Sequence, residues 1–78
     1  MPSLTLYQRS SCPYCRRVTD YLDEAGTAVQ IKDTADPANR QELVDIGGKG
    51  QVPCLIIDGE PLYESDDIIS WFRGNSDA

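Results

Sequence analysis

Cys12-Pro13-Tyr14-Cys15 is the stretch of this 78-residue chain with the clearest reactive potential. Two thiols three residues apart share one side of a helix and lie close enough to form a disulfide with little backbone movement. A C-x-x-C pair where a strand gives way to a helix reads as redox chemistry. At a helix start, unsatisfied N–H groups and the helix dipole favour a thiolate, and such positions bring a thiol from about 8.5 into a range of about 3.5–7.5. Pro13 suits the first helical position, where its missing N–H is not needed. Arg9, Arg16 and Arg17 add positive charge nearby. Three other readings compete. Half of a zinc or iron–sulfur site would need a second cysteine pair, and only Cys54 remains. A static disulfide is disfavoured in a reducing compartment. Two incidental buried cysteines fit poorly with the helix start, the proline and the arginines. Cys54 follows Pro53 at the start of an apolar run and reads as a buried core thiol, with a third redox thiol near Cys12 as the alternative.

Charge narrows the partners. Residues 1–19 hold three arginines and no acid, whereas residues 20–78 hold four bases against thirteen acids, for a net −6. Clustering of three arginines by chance stands beside any functional reason for it. An acidic chain is a poor match for nucleic acid or an anionic membrane. The absence of histidine removes imidazole triads, proton shuttles and histidine metal sites. No apolar run approaches the roughly 18 residues of a membrane span. Met1 to Arg9 lacks the basic and then apolar pattern of a signal peptide, so a cytoplasmic location is expected.

The elements that must position these residues follow from the pattern. Ser3 to Arg9 alternates, with Leu4 and Leu6 opposite Thr5 and Tyr7, and reads as a strand. A helix is expected from Pro13 to about Ala25 on the stripe Val18, Tyr21, Leu22 and Ala25, stopped by Gly26. Ala28 to Lys32 reads as a strand through Val29 and Ile31. Asp36 caps a second helix with Pro37 at its first position. That helix buries Leu43, Val44 and Ile46 and ends at Gly47–Gly48. Gly47-Gly48-Lys49-Gly50 lacks the spacing of a phosphate loop and reads as a helix end plus turn. Cys54 to Ile57 is a central strand, Asp58–Gly59 a hairpin turn, and Glu60 to Glu64 the return strand. Ser65 is placed as the cap of a last helix, with Asp66 and Asp67 in its first turn. That helix buries Ile68, Ile69, Trp71 and Phe72 and frays at Gly74. The order is β-α-β-α-β-β-α, an α/β pattern. Residues 1–78 suffice for one domain, burying about 60% of the unfolded-chain surface.

Cys-Pro-Tyr-Cys after a first strand resembles a dithiol glutaredoxin. The resemblance covers nearly the whole chain and implies a thioredoxin fold, a four-stranded mixed sheet flanked by three helices. Gln51-Val52-Pro53 is similar to the family's T/Q-V-P segment, whose proline is cis. Ser65-Asp66-Asp67-Ile68 is similar to the segment that holds glutathione at the last helix. Arg9 stands where glutaredoxins usually have lysine. One feature departs: Tyr63-Glu64 replaces the Gly-Gly common before the last helix. Val52-Pro53-Cys54-Leu55, Asp58-Gly59 and Leu62-Tyr63-Glu64-Ser65 resemble instead the N-terminal domain of glutathione transferases, which use the same region for the same ligand.

The resemblance implies a glutathione site and suggests how charge would fill it. Arg9, with Arg40 second, would take the glycine carboxylate. The N–H groups of Ser65 and Asp66 would take the γ-glutamyl carboxylate. Asp67 and Glu64 would pair with the ammonium. Val52, beside Pro53, would offer backbone hydrogen bonds to the cysteinyl unit, and Tyr14 would shield the sulfurs. An ordinary helix start explains Ser65-Asp66-Asp67 equally, Tyr14 reads also as filler, and Arg16 and Arg17 as a solvated face. The implied activity is thiol–disulfide exchange. Cys12 attacks disulfide-bonded or glutathionylated proteins, Cys15 resolves, glutathione is the reducing co-substrate, no metal takes part, and the chain is a monomer. Three alternatives stay open. They are a redoxin reduced by thioredoxin reductase, a non-catalytic transferase-like glutathione binder, and an iron–sulfur cluster shared between two chains, which Pro13 disfavours.

Overall fold

The protein is described from a computed structural model covering residues 3–27 and 29–75. The elements run β1 (Leu4–Gln8), α1 (Pro13–Ala25), β2 (Gln30–Asp33), α2 (Pro37–Gly47), β3 (Cys54–Ile57), β4 (Glu60–Tyr63) and α3 (Ser65–Asn75). This is the order that the pattern predicts. Ala28, placed by the sequence at the start of the second strand, lies outside the described residues, as do Met1 and Pro2.

The strands form one mixed sheet in the order β2-β1-β3-β4. β1 and β2 are parallel, which requires the α1 crossover, whereas β1–β3 and β3–β4 are antiparallel. With three helices this is the thioredoxin fold. Strand alternation sends neighbouring side chains to opposite faces. Leu6 and Leu55, cross-strand partners, join Val18, Leu22, Ile68 and Phe72 in the core under α1 and α3. Tyr7 and Cys54, the next pair along, join Leu43 and Ile56 in a smaller core under α2.

Local chemistry sets the boundaries. Gly26 and Gly48 end α1 and α2 in the left-handed conformation that glycine tolerates. Asp36 caps α2 by accepting the Ala38 N–H at 2.9 Å. Gly47 is required for packing, because a Cβ there would collide with the Tyr63 hydroxyl, which donates to the Gly47 carbonyl at 3.2 Å. α2 is otherwise moored through Glu42, whose Oε1 accepts from Tyr7 Oη at 2.9 Å and from Lys32 Nζ at 2.7 Å.

Several expectations change. Ile46 is exposed and Val44 half-buried, because α2 seats only Leu43 fully in the small core. Ile31 lies on the edge strand and is also exposed. Ala25, in the last turn of α1, is exposed. Ile69 and Trp71 pack at the margin of the larger core, and α3 continues through Gly74 to Asn75. Among the described residues no helix is long and apolar enough to cross a membrane.

Candidate functional site

β1 ends at Gln8 and the chain turns sharply, with the Cys12 N–H donating to the Arg9 carbonyl at 2.9 Å. This turn delivers Cys12 to the N-cap of α1, in extended backbone (φ −92°, ψ 120°), with Pro13 next and no acid in the first turn. Cys12 is partly exposed and Cys15 fully buried, and both are free thiols. The Arg9 N–H donates to Cys15 Sγ at 3.4 Å.

The two environments drive the thiols apart. Burial resists ionisation of Cys12, but the Cys15 N–H, the Cys15 thiol, the Tyr14 N–H and the Arg9 charge outweigh it and lower its pKa. Burial pushes Cys15 up to about 11. The Arg9 N–H opposes that rise, while the neighbouring Cys12 and the charge of Asp33 reinforce it. One thiol is thus shifted toward the thiolate and the other toward the protonated form.

A groove of about 560 Å³ opens beside this turn, lined by Tyr14 and Arg17 of α1, Gln51-Val52-Pro53, and Glu64 to Asp67. That volume is in the range of small-molecule sites. Val52–Pro53 is cis. Glu64 has φ +74° and accepts the Ile68 N–H at 3.0 Å, so it occupies the cap position of α3. Ser65, expected as the cap, is instead the first helical residue, and it is buried. The first N–H groups of α3 have no acceptors within the helix, and Ser65, Asp66 and Asp67, which carry them, line the groove. Asp66 and Asp67 follow in the same turn, so positive backbone and negative side chains meet there.

Seven of the nine residues expected around a ligand line this groove: Tyr14, Val52, Pro53, Glu64, Ser65, Asp66 and Asp67. Arg9 and Arg40 do not. Arg9 sits in the loop behind Cys12, and its charge acts on the thiol instead. Arg40, on α2, lines a separate depression of about 290 Å³ with Thr34, Ala35, Pro37, Gln41 and Val44. The groove's cation is Arg17, whose Nη2 meets Asp66 Oδ1 at 2.7 Å. The signal for Arg17 was its i+3 spacing from Tyr14, which places both on one helix face. Gln51 also lines the groove, with Nε2 donating to Glu64 Oε1 at 3.2 Å. Cys54 is buried with Tyr7, Leu43 and Ile56 on the α2 side of the sheet. Burial raises its pKa against the Leu62 N–H, the Tyr63 hydroxyl and the Lys49 charge. Among the described residues no cluster of three or more cysteines and acids is placed to hold a metal ion.

The same architecture recurs in known proteins. A family model described as the glutathione S-transferase N-terminal domain matches residues 6–78. Glutaredoxin 3 of Escherichia coli is 29% identical over 69 residues, spanning 87% of this chain and 83% of that protein. Glutathione transferase Omega 3C of Trametes versicolor superposes with a TM-score of 0.81 at 33% identity, covering 92% of this chain but 33% of the transferase. A buckwheat glutaredoxin, solved as its glutathione complex, shares the fold at TM-score 0.70 and 23% identity, covering 94% of this chain and 70% of that one.

Proposed function

The chain belongs to the glutathione S-transferase N-terminal-domain family, with glutaredoxins among its relatives, and from that premise we propose that it is a glutathione-dependent thiol–disulfide oxidoreductase. The observation that carries this reading is the opposed tuning of Cys12 and Cys15 within one C-x-x-C turn beside a groove with both signs of charge. A pure binding site has no use for a second thiol held protonated behind the first.

The exchange steps conserve atoms and electrons. The Cys12 thiolate attacks the glutathione sulfur of a glutathionylated protein. The Cys12–glutathione disulfide forms as the substrate disulfide breaks, and the protein leaves as its thiolate, which takes a proton from solvent. A second glutathione thiolate attacks the glutathione sulfur held by Cys12. Oxidised glutathione departs and the Cys12 thiolate returns. For a protein disulfide, Cys12 becomes tethered to the substrate. Cys15 then loses its proton, attacks Cys12 and releases the reduced substrate, leaving a Cys12–Cys15 disulfide that two glutathione molecules reduce. The held neighbour outcompetes a dilute external thiol by effective concentration.

In the groove, the N–H groups of Ser65 and Asp66 are suited to a γ-glutamyl carboxylate. Asp67 and Glu64 are suited to its ammonium, and the Val52 backbone to the cysteinyl unit. Arg17 replaces Arg9 and Arg40 as the cation available within the groove. The buckwheat protein's complex with glutathione supports this ligand class. The partners proposed are glutathionylated or disulfide-bonded proteins in the cytoplasm, met by a monomer.

A second reading, a transferase-like glutathione binder without turnover, draws on the match to the Omega transferase. One assay decides among the readings: reduction of a glutathione mixed disulfide, driven by glutathione and its reductase in parallel with thioredoxin reductase. Turnover in the glutathione arm is expected. Turnover only with thioredoxin reductase overturns the choice of reductant, and binding without turnover favours the transferase-like reading.

A further inference from the structure

The chemistry above leaves Arg16 unused. The Arg16 N–H donates to the Cys12 carbonyl at 3.1 Å, so Arg16 stands one helical turn from Cys12 on the same face. Its side chain is exposed and lies outside the groove. Arg9, whose carbonyl accepts the Cys12 N–H, is also exposed. Neither enters an ion pair among the described residues, in contrast to Arg17, which is held by Asp66. Tyr14, between them along the chain, is 61% exposed. Arginines and an exposed tyrosine are the residue types that protein contacts favour.

The rest of the molecule carries the opposite charge, with thirteen acids against four bases in residues 20–78. Glu64, Asp66 and Asp67 bring that acidity to the groove edge. A basic partner therefore finds attraction over most of the surface and no guidance to the nucleophile. An acidic segment is repelled nearly everywhere and attracted at the Cys12 flank, which gives it one productive orientation.

Resting on the thiol-exchange reading, we propose that the Arg9–Arg16 flank of Cys12 selects protein substrates whose target cysteine is bordered by acidic residues. Arg9 precedes Cys12 by three residues and Arg16 follows it by one helical turn, so acidic side chains near a substrate cysteine meet cations while its sulfur meets Cys12. The small glutathione moiety stays in the groove and is indifferent to Arg16.

The test uses three substrates with the intact protein. Two are short glutathionylated peptides identical except for aspartates or lysines on either side of the cysteine, and the third is uncharged bis(2-hydroxyethyl) disulfide. At low ionic strength the wild type is expected to favour the acidic peptide in kcat/KM by about two- to fivefold, the range of exposed charge pairs, with the preference shrinking as salt rises. Arg16→Gln should lower that ratio and Arg16→Glu should abolish or invert it, both keeping wild-type activity on the uncharged disulfide. Equal rates on the two peptides, a preference for the basic one, or a ratio unmoved in Arg16→Glu overturns the proposal alone. Absence of turnover on all three substrates overturns the thiol-exchange reading and this inference with it.

Discussion

Helices α1 and α3 bring their first turns to the two sides of one groove, and their sequences use the same partial positive charge in different ways. In α1 the cap is the proposed nucleophile: Cys12 sits in relaxed extended backbone, followed by Pro13, with no acid in the first turn. In α3 the cap is Glu64 in the left-handed region, and two acids follow. A thiolate is best served where no other anion competes for the N–H groups. A ligand end that carries both an ammonium and a carboxylate is best served where N–H groups and carboxylates lie side by side.

The largest effects fall on the α1 side. Cys12→Ser is expected to lose turnover of both glutathionylated proteins and protein disulfides. Cys15→Ser should keep deglutathionylation and lose most reduction of intramolecular protein disulfides. Both substrates assayed on both variants check the division, and loss of deglutathionylation in a folded Cys15→Ser contradicts it.

The buried partner thiol leaves a signature in stability. Cys15, raised to about 11 from 9.0, holds its proton in the folded state after the unfolded chain has released it. The unfolded state then binds fewer protons, so stability of the reduced protein falls as pH rises from about 9 toward 11. Cys12 has the opposite sign, because its lowered pKa adds stability above that pKa and loses it on acidification. Urea melts of reduced wild type and Cys15→Ser across this range should diverge, with the variant losing less.

On the α3 side, Asp67→Ala is expected to raise the KM for glutathione about tenfold or more, the worth of a charged hydrogen bond. A thiol lacking the γ-glutamyl end should show little change. Equal losses with both thiols would mean that Asp67 supports the fold and not the ligand.

Transplanting an α3 feature into α1 is the sharpest comparison. Tyr14→Glu places an acid in the first turn that feeds Cys12, and it should move the Cys12 pKa back up toward its ordinary value. Alkylation rate against pH reads this directly.

The smallest effect concerns the cap of α3. Glu64→Gly removes a non-glycine left-handed residue and is expected to stabilise the fold by about 1 kcal/mol while weakening glutathione use. A thermal melt and a KM measured together separate the two roles.

Much of this molecule was legible in its residues because the signals are local. Gly26, Gly48 and Asp36 end or cap helices through their own backbone and side-chain preferences, and Cys12-Pro13-Tyr14-Cys15 marks a strand-to-helix turn within four residues. Alternation in β1, the continuous apolar run of β3 and the Asp58–Gly59 turn defined the strands around it. Resemblance to glutaredoxins supplied the fold and the cis proline, which local preference alone does not specify. The long-range juxtapositions required the folded chain. Arg9 and Arg40 carry the right charge for a carboxylate, but the turn after β1 and the placement of α2 put both outside the groove, whereas α1 carries Arg17 into it. Ser65 has the composition of a cap, yet the φ +74° bend moves that role to Glu64. Ile46 and Ile31 are apolar and exposed because α2 and the edge strand bury less than their patterns offer. Residue type and spacing determine what a segment can do chemically. Which segments meet, and which charge faces which groove, depends on how the β2-β1-β3-β4 sheet and its helices pack, because those contacts join residues far apart in sequence.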